Sequence, residues 1–247
     1  MSTAAPLTKR ILLQGRYEAL AMLRNGEQLV LAIALPLLGL VVLVLTPFLD
    51  GMASSRIDAA TPGIIALCAM STAFTGQGIA TGFDRRYGVL RFLSTTPLGK
   101  PGLILGKALG VVVVLAVQLV VICTAAALLG WRPDPAGLLI GLVQLILGAA
   151  AFTGLGLLVA GTLRPEATLA VTNLLWILLA VGGGIVLPGT LLPDAIRPFV
   201  DILPSAALGD GLRSALIDGA FNLPALLILV AWAVLSSLAA IRWFKWS

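Results

Sequence analysis

Six stretches of this 247-residue chain contain no Asp, Glu, Lys or Arg: residues 28–49, 59–83, 108–131, 135–163, 167–193 and 219–241, each 22 to 29 residues long. A helix rising 1.5 Å per residue needs about 20 apolar residues to cross a hydrocarbon layer about 30 Å thick. Each run is therefore long enough to cross once, and the expected spans are about 28–49, 59–83, 108–131, 135–163, 167–187 and 220–241. Lipid offers no hydrogen bonds to the backbone, so only helices and closed barrels cross it. The runs are continuous rather than alternating, which selects helices. Apolar residues make up 59% of the chain and charged ones 11%, against about 45–50% and 25% in soluble domains. The expected fold is an all-α integral membrane protein of six transmembrane helices, residues 1–247 forming one domain.

The same composition removes several chemistries. With no histidine in the chain, a Ser-His-Asp triad, an HExxH zinc site and a haem ligated by imidazole are all excluded. Cys68 and Cys123 lie singly inside apolar runs and read as buried, inert thiols. Segments outside the runs never exceed 27 residues, too short for a soluble catalytic domain. The Gly99-Lys100 pair is followed by Pro101 and has no correctly spaced glycine before it, so no phosphate-binding loop forms. The chain is not expected to be an enzyme, to bind a cofactor or metal, or to carry a nucleotide-binding domain.

Orientation follows from Lys and Arg, which concentrate on the cytoplasmic side. With the N-terminus inside, twelve basic residues lie inside and four outside. The four are Arg56, Arg132, Arg197 and Arg213. Both termini are expected in the cytoplasm of a cell-membrane protein. The net charge of +5 is a topology signal, and nucleic acid is not an expected partner. The first run is too long for a signal-peptide core, and no A-x-A-like site follows Leu49, so cleavage there is not expected. Before that run, Leu13, Tyr17 and Leu20 share a line with Arg10, Arg16 and Arg24, predicting an N-terminal helix in the membrane interface.

No ionisable residue is expected deep in a span, which argues against an ion-coupled carrier. Polar residues within the runs include Gln77, Gln118, Gln144 and Asn173. Interhelical hydrogen bonding is their ordinary use; Gln77 and Asn173, with Trp176, are the candidates for a substrate path. Residues 84–101 carry more information. Val89, Phe92 and Leu93 fall at i, i+3 and i+4, flanked by Arg85, Arg86 and Arg91, and Pro97 and Pro101 then stop the helix. A short helix with an apolar tip and a cationic rim suits a groove on a cytosolic partner; settling the loop in the interface is the plainer use. After the fifth run, Ile196, Phe199, Val200 and Leu203 make one helical face and Leu208, Leu212, Ala215 and Leu216 another. Asp194 and Ser205 stand where they could cap these helices. Two short re-entrant helices on the outer surface are expected, with Phe199, Leu203, Leu208 and Leu212 as an external gate or a passive lid. Gly78/Gly82, Gly106/Gly110 and Gly137/Gly141 permit close helix packing.

The segment Arg85-Arg86-Tyr87-Gly88-Val89-Leu90-Arg91-Phe92-Leu93, followed by Thr96-Pro97-Leu98, resembles the cytoplasmic coupling region of ATP-binding cassette type 2 (ABC-2) exporter permeases, the drug-exporter permeases among them. Leu23-Arg24-Asn25 ahead of a run carrying Pro36 is similar to that family's entry into its first helix. Leu203-Pro204-Ser205 and Leu212-Arg213 are similar to the approach to its last. The chain departs from the family pattern in having few acids around Gly88. The resemblance implies a coupling helix containing Arg85, Arg86, Tyr87, Gly88, Leu90, Arg91, Phe92, Leu93 and Pro97. It also implies a half-transporter in the membrane lipid: two permease copies, identical or homologous, and two ABC ATPase subunits that bind ATP and Mg. Such permeases export drugs, lipids, haem-related cargo or lipid-linked glycans, and an amphipathic drug-like cargo is the first expectation here. A non-transport assembly or lipid-modifying factor is the alternative. Single cysteines at Ser2 and Ser247 are predicted to resist membrane-impermeant reagents in intact cells while one at Ser55 reacts; labelling of either terminus would contradict the topology.

Overall fold

In the computed structural model, which describes residues 5–189 and 193–246, the chain is helical throughout its regular structure, with no strand among the described residues. The elements are α1 (Leu7–Arg24), α2 (Gly26–Leu45), α3 (Arg56–Met70), α4 (Gln77–Arg86), α5 (Val89–Ser94), α6 (Gly99–Leu128), α7 (Gly137–Thr162), α8 (Pro165–Gly182), α9 (Arg197–Asp201), α10 (Pro204–Asp218) and α11 (Leu223–Trp243). One π-helical turn, Ser71–Gly76, joins α3 to α4. Among the described residues five helical runs are long and apolar enough to cross a membrane: 56–86, α6, α7, α8 and α11. A shorter apolar stretch, Ala32–Leu45, lies in α2.

Local chemistry explains several boundaries. The Ser55 hydroxyl accepts the Asp58 N–H at 3.3 Å and caps α3, and Asn222 Oδ1 accepts the Ala225 N–H at 3.0 Å at the start of α11. Gly88, with φ +78°, separates α4 from α5 in a left-handed conformation that side chains with a Cβ avoid. Asp194 and Ser205 do not cap: α9 starts from Ile196 and α10 from Leu203, with no side-chain cap at either. Proline as the first residue of α10 removes one of the N–H groups a cap would have served.

The centre of the bundle is α3–α4 with α7 and α10, while α8 and α11 expose most of their length. Glycine pairs make the close contacts. A Cβ on Gly78 or Gly82 would press on Thr172 or Thr168 of α8 at 2.9 and 3.3 Å; on Gly106 or Gly110 it would meet Gln14 or Glu18 of α1 at 2.5 and 2.6 Å. Gly137 and Gly141 likewise seat α10 through Ala215 and Leu216. All three Gly-xxx-Gly pairs are thus seams within the chain.

The ends of the bundle separate by charge. At one, called the basic pole, α1, α5, the start of α6, the turn from α7 to α8 and the tail after α11 lie together. Phe244 there packs on Gly161, and the Lys245 N–H donates to Gly161 O at 3.0 Å. At the far pole the Arg132 N–H donates to Asp58 Oδ1 at 3.2 Å and the Asp134 N–H to Leu216 O at 3.1 Å.

Three further expectations change. Helix α8 stops at Gly182 rather than about 187, because the glycine run 182–184 ends it and Gly184 turns with φ +74°. Helix α10 is no surface lid: Pro204 through Gly209, Gly211, Leu212, Ala215 and Leu216 are buried. Helix α6 starts nine residues before its charge-free run, which carries Lys107 into the bundle, where it is fully buried.

A matched pair of substitutions tests the seams. Gly156→Ala would set its Cβ 2.6 Å from the Phe74 carbonyl oxygen, whereas Gly182→Ala meets nothing within 4 Å. The first is expected to cost about 1–3 kcal/mol, read as a lowered thermal midpoint in detergent, and the second to leave the midpoint unchanged or slightly raised.

Candidate functional site

Helix α5 is anchored from beneath. Leu90 is fully buried with Leu98, Leu103 and Phe244, and Leu93 and Trp246 pack against this small cluster. The opposite side looks outward: Tyr87 is 73% and Phe92 70% exposed, with Arg86, Gly88, Arg91 and Pro97 exposed beside them. The apolar face therefore differs from the sequence expectation. Leu90 and Leu93 face the protein, Val89 is half-buried, and Phe92 stands out with Tyr87, whose ring stacks on Phe83 at 6.2 Å. The helix turns at Gly88, so the phase counted from Val89 alone misses the anchoring residue.

Behind α5 lies a cluster of side chains that all fall outside the charge-free runs. Lys107 Nζ of α6 sits 3.0 Å from Glu18 of α1 and 3.0 Å from Asp84 Oδ2 of α4. Gln14 Nε2 donates to Glu18 Oε1 at 2.7 Å. Two carboxylates share one buried ammonium, so each needs it. The next residue, Arg85, donates from Nη1 to Leu163 O at 2.9 Å and Ala160 O at 3.4 Å, at the C-terminal end of α7 where a cation is favoured. Arg86 reaches Glu166 of α8 at 3.7 Å across an exposed gap. The signal available in sequence was the polar stripe Gln14, Glu18 on the small face of α1, at the spacing of Gly102, Gly106 and Gly110 of α6.

The candidate path residues do not converge within one chain. Gln77 is fully buried and donates from Nε2 to Met22 Sδ at 3.3 Å. Trp176 Nε1 donates to Ser71 Oγ, on the π-turn, at 2.9 Å. Asn173 is exposed on α8 among Leu169, Leu174 and Ile177. Gln118 is a tie between helices, accepting from Thr72 Oγ1 and donating to Ala32 O, both at 2.8 Å. The proposed gate divides as well: Phe199 is 71% exposed and Leu203 half-buried, but Leu208 and Leu212 are core residues. Arg213 of α10 donates to the carbonyl oxygens of Gly184 at 2.6 Å and Ile185 at 3.0 Å, and pairs with Asp210 at 2.9 Å. It thereby satisfies backbone left open where α8 ends.

A family model described as "ABC-2 type transporter" matches residues 10–217. The chain belongs to this family. It is also 26% identical over 167 residues to "Putative transport permease YvfS" of Bacillus subtilis (strain 168), covering 67% of this chain and 68% of that one. The chain is thus a multi-pass membrane transport subunit of an ABC transporter, and membership implies an ABC ATPase as its partner. Within this ABC-2 permease, α4, α5 and the start of α6 form the segment whose pattern carried the resemblance.

Removing one partner of a buried ion cluster leaves an uncompensated charge, at about 3–5 kcal/mol. Lys107→Ala is expected to lower the unfolding midpoint accordingly, whereas Asp50→Asn, at the exposed Arg56 pair of the far pole, is expected to leave it in place. Equal midpoints for the two variants would contradict the account of the cluster.

Proposed function

We propose that this permease is the membrane half of an ATP-driven exporter of amphipathic or lipophilic molecules, drug-like ones first and lipids or lipid-linked glycans next. The observation that carries the reading is the exposed surface of α5. Tyr87 and Phe92 stand exposed beside Arg86 and Arg91, while Leu90 fixes the helix to the bundle. Large exposed aromatics ringed by cations are what a docking site for another protein requires. On this reading the surface is cytoplasmic and enters a groove on the ATPase, which binds ATP and Mg. Two permease copies and two ATPase subunits then make the working unit.

The cargo class follows from the face that α8 leaves open. It carries Leu169, Leu174, Ile177, Leu178 and Val181, with Asn173 as its polar group. A strongly ionic solute would find no charge there to offset its desolvation. An amphipathic molecule keeps its apolar part on these side chains and its polar part at Asn173 or an interface. Gln77 and Trp176 would act from behind, by holding α4 and the π-turn in place. Release would pass the rim at Phe199 and Leu203, since Leu208 and Leu212 hold α10 in the core.

Because Phe92 is exposed, Phe92→Asp is expected to fold and insert normally and to weaken co-purification with the ATPase at least tenfold. Undiminished co-purification would remove α5 as the docking site. For cargo, vesicles holding both subunits should take up a hydrophobic dye or a labelled lipid only with ATP, and Asn173→Leu should alter that uptake. Movement of small hydrophilic ions alone would refute the cargo class while leaving the family intact.

A further inference from the structure

We propose that Asp84, Arg85 and Arg86 are positioning residues that pass motion of α5 to the bundle as one rigid junction. The inference rests on the reading of α5 as the ATPase docking site. Consecutive helical residues point about 100° apart, and these three diverge to separate helices. Asp84 meets Lys107 of α6 and through it Glu18 of α1, at 3.0 Å each. Arg85 holds the last carbonyls of α7, with Leu163 O at 2.9 Å. Arg86 faces Glu166, in the first turn of α8, at 3.7 Å. Two residues later the chain turns at Gly88 into α5.

Stability alone does not account for such an arrangement. Exposed pairs such as Arg86–Glu166 contribute little, and a buried cluster of charges is commonly no more stabilising than apolar side chains of the same volume. What charge and hydrogen-bond geometry supply is a fixed register between elements. The basic-pole ends of α1, α4, α6, α7 and α8 are held to one another by three adjacent side chains. A displacement of α5 therefore reaches all of them through α4, across the turn at Gly88. Asp84 is the residue to test, because Asp84→Asn removes the carboxylate charge by which α4 holds Lys107 while leaving the Lys107–Glu18 pair intact.

The experiment uses the complex with the ATPase, carrying nitroxide labels at Ser54 of the far pole and at the exposed Phe199 of α9. Electron–electron distances are measured without nucleotide and after trapping with ATP and vanadate. The wild-type complex is expected to change its distance distribution. Asp84→Asn should keep the ATPase subunit and its hydrolysis within about twofold, yet lose at least half of that change, and Asp84→Glu should restore it. A full response in Asp84→Asn overturns the junction. So does loss of the ATPase subunit, which would make the residue a docking contact, or failure of Asp84→Asn to fold where Asp84→Glu folds, which would make it a structural one. A wild-type complex that docks and hydrolyses but shows no distance response to nucleotide overturns the export reading beneath the junction instead.

Discussion

Lipid supplies no hydrogen bonds, and the rest of the structure depends on that. Each N–H and C=O inside the bilayer must be answered by the chain itself, which makes every crossing a helix and makes each helix interruption a problem to be solved. At the end of α8 the solution is a side chain: Arg213 donates to the carbonyls of residues 184–186. Where α3 meets α4 it is a π-turn, with Thr72 donating to Gln118, which donates in turn to Ala32 O. These ties draw α10 and α6 towards the interrupted segments, and the arrangement of the centre follows.

Association of the helices cannot rely on the hydrophobic effect, because lipid tails are as apolar as leucine. Small residues take over that role. The backbones of α4 and α8, α6 and α1, and α7 and α10 approach through glycine, and Ala66, Ala69 and Ala73 lie wholly buried while Val30, Leu35 and Leu38 are exposed. The charges excluded from the spans gather at the poles. At the basic pole they do more than face outward, since Lys107, Glu18, Asp84, Arg85 and Arg86 join α1, α4, α6, α7 and α8 beside the short helix α5.

The same physics explains what could be read from sequence. Five of the charge-free runs fall on helices long and apolar enough to cross a membrane and the first on the shorter apolar stretch of α2, and the segment from Arg85 to Leu98 carried the family resemblance, because both depend on local order. Hydropathy could not distinguish the protein-facing from the lipid-facing side of a span, so the burial of Leu208 and Leu212 in α10 was not legible, nor was the exposure of Asn173. Lys107 stood one residue outside its charge-free run and was therefore counted with the loop; only the partner carboxylates, 89 and 23 residues away in sequence, give it a buried place. Phe92 and Leu90 exchanged roles because the phase of a six-residue helix is set by its anchoring cluster, including Phe244 at the far end of the chain.

The central claim is that α5 is the surface through which an ABC ATPase drives this permease. Site-specific photo-crosslinking in the assembled complex tests it most directly, with a photoreactive residue at position 92 and, separately, at position 199. The account predicts a permease–ATPase crosslink from position 92 and none from position 199. Crosslinking from position 199, or a complex that assembles and hydrolyses ATP with no crosslink from position 92, would contradict it.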